Sequence, residues 1–154
     1  MNIEDMLAPD GIVPRLKAED KKQALQALAT KAEAATGAPA HEIYTALLQR
    51  ERLSSTSLGR GIAIPHVKLP MAKAITCLFA RLEKPIPFDS HDGEPDDLLF
   101  FLLAPEQAGG DHLKALARIS RLIRDPATLE GLRNAKDVNE LRLVLTKPLT
   151  SNAA

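Results

Sequence analysis

The chain has 154 residues, 45% of them hydrophobic and 26% charged, which suits one globular domain with a substantial core. Its 20 basic and 20 acidic side chains cancel, which argues against the broad basic face that nucleic acid or an anionic membrane requires. The single cysteine, the acidic N-terminus and the lack of a long apolar run lead us to expect no intramolecular disulfide, no secretory signal, no membrane span and a cytoplasmic location.

The first third of the chain predicts a short strand followed by two helices. Residues 12–13 begin an apolar patch that suits a strand. Asp20 precedes a segment with apolar residues at helical spacing, and Gly37 follows it, which are common start and stop signals of a helix. Pro39 suits the first turn of a second helix, which we expect to fray near residues 50–52.

The middle of the chain predicts a loop and the strands of a sheet. Residues 54–61, with the sequence SSTSLGRG, have no periodicity and are predicted to form a loop. We predict strands over residues 62–67, 74–82 and 98–104, the last because its apolar run is short and continuous. Residues 85–95 are predicted to be an acidic connection.

The last third predicts three helices and a tail. The helices are expected to begin at 109–111, at 125–126 and at 137–140, where Asp137 and Glu140 have the spacing of a capping box. Residues 147–154 form a polar tail. This order of elements predicts a single-domain α/β sandwich over 1–154, with a mixed sheet flanked by helices on both faces.

One segment combines residues suited to phosphate chemistry. Pro65 rigidly aims His66 out of the end of a strand, and a neutral imidazole is a competent nucleophile near pH 7. The hydroxyl- and glycine-rich loop upstream suits an anion, and Arg50 offers a planar fork that matches phosphate oxygens. His112 stands at the start of a helix, where anions are favoured. The residues alone leave an ordinary half-buried histidine, an ordinary loop and a helix-end cation as alternatives.

The stretch ERLSSTSLGRGIAIPHVKL, residues 51–69, resembles the active-site signature of the enzyme IIA domains of the bacterial phosphotransferase system, fructose/mannitol type. The PIPFDSHDGEPDDLLFFLLAP block at 85–105 and the Asp-His-Leu at 111–113 are similar to those of the nitrogen-regulatory branch. The resemblance runs from about residue 7 to residue 145, which would be the structured core.

The resemblance implies a role for each site residue. His66 would be the phosphorylated nucleophile, His112 its active-site neighbour and Arg50 the cation near the incoming phosphate. The hydroxyl triad, by which we mean Ser55, Thr56 and Ser57, would line the phosphate-binding pocket. The phosphate donor would be a histidine-containing phosphocarrier protein, and the chain would be a phosphotransferase component.

The resemblance leaves the downstream role open. The chain could be mainly a phosphorylation-dependent regulator that docks on a transporter or a sensor kinase, a sugar-transport component that passes phosphate to a IIB component, or a non-catalytic binding module. Ser57, Val67, His91 and Asp96 depart from the usual family residues, and Asp96 is expected to lie with its acidic neighbours in a solvated turn.

Three other classes of enzyme fit the sequence less well. A metal hydrolase built on His66, His91 and His112 lacks both helical ligand spacing and an HExxH motif. A thiol enzyme would need Cys77, which lies in an apolar run where a buried cysteine is inert. A P-loop would need GK[ST] after the glycines, which is absent. We therefore expect no metal ion and no cofactor.

Overall fold

The computed structural model describes residues 2–147, which form six helices and six strands. In chain order these are α1 (Ile3–Met6), β1 (Leu7–Leu16), α2 (Lys21–Thr36), α3 (Ala40–Leu53), β2 (Ser57–Gly59), β3 (Ile62–Ala63), β4 (His66–Leu69), β5 (Thr76–Ile86), β6 (Asp96–Pro105), α4 (Gly110–Arg124), α5 (Pro126–Asn134) and α6 (Val138–Leu145). Apart from Lys147, the predicted polar tail lies outside the described residues.

The six strands form one mixed sheet in the order β1-β5-β6-β3-β2, and β4 also pairs with β6. β1 and β5 are parallel, β5 and β6 antiparallel, and β3 and β4 both run parallel to β6. β3 and β4 are therefore two pieces of one line along β6, separated by Ile64 and Pro65. The strand predicted over 62–67 is interrupted here because proline has no N–H for the ladder.

Helices cover both faces of this sheet. The central strand β6 is therefore buried on both of its faces. Leu99, Phe101 and Leu103 of β6 pack in the core beneath α2 and α3. Leu98, Phe100 and Leu102 pack in the opposite core, with residues of α1, α4, α5 and α6. A strand buried on both faces reads as a continuous apolar run, which is the pattern of residues 98–103. The predicted single-domain α/β sandwich with helices on both faces is confirmed.

The predicted helix starts agree closely with the structure. The Asp20 carboxylate accepts a hydrogen bond from the Gln23 N–H at 2.8 Å, and Gly37 ends α2 in the left-handed conformation. The capping box predicted at α6 is only half formed. Asp137 accepts from the Glu140 N–H, but the Glu140 side chain accepts from Lys136 instead of Asp137.

Three further predictions of local structure were wrong, and one helix was missed. Helix α3 does not fray at residues 50–52 but continues to Leu53. The predicted loop 54–61 contains β2, which is held by pairing with β3. Strand β5 extends into the predicted connection as far as Ile86, and α1 was not anticipated. Within residues 2–147, no helix is both long and apolar enough to cross a membrane.

Candidate functional site

An open cleft of about 550 Å³ lies where the last turns of α3, the start of β4 and the first turn of α4 meet. Its lining residues are Ala46, Gln49, Arg50, Leu53, His66, Val67, Lys68 and His112. The structure therefore brings together three residues that the sequence singled out, His66, His112 and Arg50, although they are as much as 62 positions apart in the chain.

His66 is the first residue of β4 and lies directly after the interruption of the strand. Its register is fixed by pairing with Leu102, whose N–H donates to the Pro65 carbonyl at 3.0 Å. The Nδ1 atom of His66 lies 2.7 Å from the Ile64 carbonyl oxygen. A carbonyl can only accept, so Nδ1 carries the proton of the neutral ring, and Nε2 carries a lone pair.

His112 is the third residue of α4 and is 7% exposed. The centroids of the His66 and His112 rings lie 5.5 Å apart, and the ring planes are tilted by 49°. The Nε2 atom of His112 is buried without a hydrogen-bond partner among the described residues. A buried polar atom without a partner is costly, so this nitrogen is available to a polar ligand beside His66.

Burial lowers the pKa of His66 below its ordinary value of 6.5. The hydrogen bond to Ile64 raises this pKa, the Arg50 charge lowers it and the Glu51 charge raises it. The pKa of His112 is also lowered, first by burial and then by the charges of His66 and Lys68. Both rings are therefore neutral at pH 7, which is the form of imidazole that attacks phosphorus.

Arg50 lies in the last turn of α3 and is half-buried. Its Nη1 donates to the Ser54 carbonyl at 3.0 Å, which also satisfies a carbonyl at the end of the helix. A guanidinium has five N–H donors, so others remain for an anion in the cleft.

The hydroxyl triad does not line the cleft. Its three hydroxyls donate to the Phe88 carbonyl at 2.6 Å, to the Glu51 carboxylate and to the Ile62 carbonyl at 3.3 Å, respectively. All three are therefore engaged within the protein. The phosphate-binding role that we predicted for Ser55, Thr56 and Ser57 stays a prediction.

The sequence analysis did not predict that two carboxylates are buried. Glu51, expected in a fraying turn, is 9% exposed and accepts hydrogen bonds from the backbone and the hydroxyl of Thr56. Asp96, expected in a solvated turn, lies in β6 fully buried. Among the described residues, neither carboxylate oxygen has a hydrogen bond of ordinary geometry. Burial raises the pKa of Asp96 to about 6, although the Ser57 side chain beside it lowers this pKa. The expectation of a solvated turn holds for its neighbours 91–95, which are exposed.

The structure also bears on two of the rival enzyme classes. Among residues 2–147, no three histidine, cysteine or acidic side chains cluster as metal ligands would. Cys77 is fully buried in β5, and burial raises the pKa of its thiol to about 12. A thiol with such a pKa is not a nucleophile at neutral pH.

Comparison with known proteins extends the resemblance over nearly the whole chain. The family model described as "Phosphoenolpyruvate-dependent sugar phosphotransferase system, EIIA 2" matches residues 5–147. The "Nitrogen regulatory protein" of Bradyrhizobium diazoefficiens is 53% identical over 148 residues, covering 96% of this chain and 97% of that relative. The protein of the same name from Escherichia coli K12 is 37% identical over 134 residues, covering 86% and 82%. The crystal structure of nitrogen regulatory protein IIA-Ntr from Neisseria meningitidis matches with a TM-score of 0.88 and 33% identity, covering 94% and 99%.

Proposed function

The chain belongs to the EIIA 2 family of the phosphoenolpyruvate-dependent sugar phosphotransferase system, and we propose that it is a phosphoryl carrier that accepts phosphate on His66. The donor in this proposal is a histidine-containing phosphocarrier protein. A cytoplasmic location is part of the same proposal, in keeping with the single free cysteine, Cys77.

The observation that carries the proposal is the hydrogen bond between His66 Nδ1 and the Ile64 carbonyl. This bond holds the ring in the tautomer whose Nε2 is a free nucleophile. In the transfer, a bond forms between Nε2 and phosphorus while the N–P bond of the donor breaks, and its electron pair returns to the donor ring. The His66 ring becomes positively charged, and the Ile64 carbonyl stabilises its Nδ1–H.

Two neighbours are suited to the phosphoryl oxygens. Arg50 supplies a fixed positive charge at the cleft, and His112 supplies a buried Nε2 that has no other partner in the described residues. Phosphoryl transfer depends mainly on positioning and on charge stabilisation, which these groups provide. We propose that both contact the phosphate.

We further propose that the phosphate acts mainly as a regulatory switch. Two leucines beside the site are unusually exposed, Leu53 at 82% and Leu113 at 68%. Leu53 lines the cleft, and Leu113 follows His112 directly. A phosphate next to this apolar rim adds negative charge that must be desolvated on docking, so it changes binding to a transporter or a sensor kinase. The names of the relatives, nitrogen regulatory proteins, support this role over sugar transport.

The test is incubation with phosphoenolpyruvate, the first enzyme of the system and its phosphocarrier, followed by intact mass and peptide mapping at neutral pH. We expect one acid-labile phosphate on the His66 peptide and none on the His66→Ala protein. His41→Ala is the matched control, since His41 is exposed on α3. Uptake by the His66→Ala protein at the wild-type rate would disprove the site assignment. Onward transfer to a IIB component would favour the sugar-transport role, and absence of any uptake would leave a binding module.

A further inference from the structure

We propose that Glu51 is a positioning residue for His66, acting through Thr56 and the backbone of Ile64. The inference rests on the proposed function only in that His66 is taken as the phosphate acceptor. Glu51 does not line the cleft, whereas its chain neighbour Arg50 does. The two residues leave the same turn of α3 in different directions, one toward the phosphate site and one toward the core beneath it.

The Glu51 carboxylate is held by three donors. Lys21 Nζ lies 2.8 Å from Oε1, and the Thr56 N–H donates to the same oxygen at 3.1 Å. The Thr56 hydroxyl donates to Oε2. The side chain is only 5% exposed, and a buried carboxylate persists when it is paired and hydrogen-bonded in this way. Glu51 therefore links the end of α3 to α2 and to Thr56, the residue just before β2.

Two further hydrogen bonds connect Thr56 to the imidazole of His66. The Thr56 carbonyl accepts from the Ile64 N–H at 3.0 Å, and the Ile64 carbonyl accepts from His66 Nδ1–H at 2.7 Å. Ile64 lies at the interruption between β3 and β4, where the β6 ladder does not hold it. The Thr56 carbonyl is therefore the acceptor for the Ile64 N–H, and Glu51 holds Thr56 through its N–H and its hydroxyl.

The negative charge of Glu51 favours phosphate uptake by His66, as the hydrogen bonds that begin at Glu51 do. It raises the pKa of His66, whereas the neighbouring Arg50 lowers it. The titratable and charged groups around the ring are Arg50 and Glu51 on α3, His112 on α4 and Lys68 on β4. Since the ring gains positive charge as it takes up phosphate, a carboxylate at this position favours the transfer.

The first experiment titrates the unphosphorylated protein by imidazole 15N NMR and needs no phosphate donor. In Glu51→Gln we expect the pKa of His66 to fall below the wild-type value and the Nδ1–H tautomer to lose population. Glu42→Gln, which removes an exposed carboxylate from the first turn of α3, is the matched control and should leave both unchanged. Loss of the Glu51 charge alone also lowers the pKa, so the tautomer decides between charge and positioning. An Nδ1–H population in Glu51→Gln equal to that of the wild type would overturn the proposal.

The second experiment measures the rate of phosphate uptake in a pair of Thr56 variants. Thr56→Val keeps the shape but removes the hydroxyl, and we expect uptake to slow about tenfold, the loss expected from one hydrogen bond. Thr56→Ser restores the hydroxyl and should recover most of the rate. Equal rates in the two variants would contradict the role of the hydroxyl link. If Glu51→Gln fails to fold, this pair carries the test, with thermal unfolding as the check. If the wild-type protein takes up no phosphate, the proposed function fails while the NMR titration still decides the positioning role.

Discussion

The ring of His112 lies 5.5 Å from the ring of His66, and its Nε2 is buried without a partner among the residues that the structure describes. Leaving a buried polar atom unsatisfied costs about 1–3 kcal/mol. The His66 ring is not that partner, because no hydrogen bond joins it to the Nε2 of His112. A phosphoryl group on His66 Nε2 would bring oxygens into the space between the rings and give His112 the partner that it lacks.

We predict that His112→Ala slows phosphate uptake about 100-fold, which is the effect of removing one donor from a developing negative charge. Uptake from the phosphocarrier, followed by rapid quench and mass spectrometry, measures the rate. The control is thermal unfolding, which checks that the protein stays folded in the assay although a buried ring has been removed. A wild-type rate would show that His112 does not contact the phosphate.

The role proposed for Arg50 requires a planar guanidinium and a positive charge. We predict that Arg50→Ala slows uptake more than Arg50→Lys, because lysine keeps the charge but not the paired N–H donors. Arg52→Ala is the control, since Arg52 is exposed and does not line the cleft. The rates are measured as for His112→Ala. Equal rates for the wild-type protein and Arg50→Ala would show that Arg50 does not contact the phosphate.

The pH dependence of uptake follows from the lowered pKa of His66. Only the neutral ring attacks, and burial keeps the ring neutral as pH falls through 6.5. The rate should therefore begin to decline at a lower pH than it would for an imidazole with the ordinary pKa of 6.5. In Arg50→Ala the lowering effect of the guanidinium is gone, so the decline should begin at a higher pH than in wild type. Profiles of both proteins, measured with the same donor, test the direction; a shift to lower pH would contradict it.

Asp96→Asn should stabilise the protein at neutral pH. The pKa of Asp96 is raised from 3.8 to about 6, so the folded state binds its proton more tightly than the unfolded state does. This stabilisation is complete below pH 3.8 and is lost as pH rises through 6. Two pKa units correspond to about 3 kcal/mol. Asparagine cannot ionise, so the free energy of unfolding should gain up to that amount at pH 7 and almost nothing at pH 4.

Urea unfolding at the two pH values measures this difference. Asp10→Asn is the matched control because Asp10 is exposed on β1. A gain that is the same at pH 4 and pH 7 would show that ionisation of Asp96 is not its cause.

Gly61→Ala should destabilise the hairpin that leads to His66. Gly61 has φ +83°, and an added Cβ would lie 2.5 Å from Arg133 Nη2 and 2.8 Å from Asp97 Oδ1. Gly37→Ala is a close control, because Gly37 has φ +80° and no atom within 4 Å of its added Cβ. We expect about 1–2 kcal/mol of loss at Gly37 from backbone strain alone. Urea unfolding should show a larger loss at Gly61, since the Arg133–Asp97 ion pair must also move.

The sequence predicted well what depends on local patterns. Helix α2 has the predicted cap at Asp20 and the predicted end at Gly37, and the apolar run 98–104 is the central strand. The family resemblance, drawn mainly from residues 51–69, is confirmed over residues 5–147. The residues alone suggested Arg50 as a phosphate ligand beside His66 but left a helix-end cation as an alternative, and the resemblance favoured the first.

What the sequence missed depends on contacts between distant segments. Nothing local distinguishes Glu51 from its exposed neighbour Arg52, because its burial depends on Lys21, thirty positions earlier, and on Thr56. Asp96 stands in a run of acidic residues that looks solvated, but the β6 ladder begins there and carries it inside. Strand β2 has three residues, too few for a periodicity of two to be visible.

The order of the strands has a consequence for aggregation. The run LLFFLL at 98–103 has the composition of an amyloid-forming segment, with no charge, proline or glycine. In the fold it is paired on both sides, by β5 on one and by β3 and β4 on the other. The sheet borders are the short strands β2 and β4 and the longer β1, which contains Pro9 and Pro14 and two register shifts. Proline and irregular pairing make such an edge a poor template for another chain. The segment most able to self-associate is therefore paired along both of its edges in the folded domain.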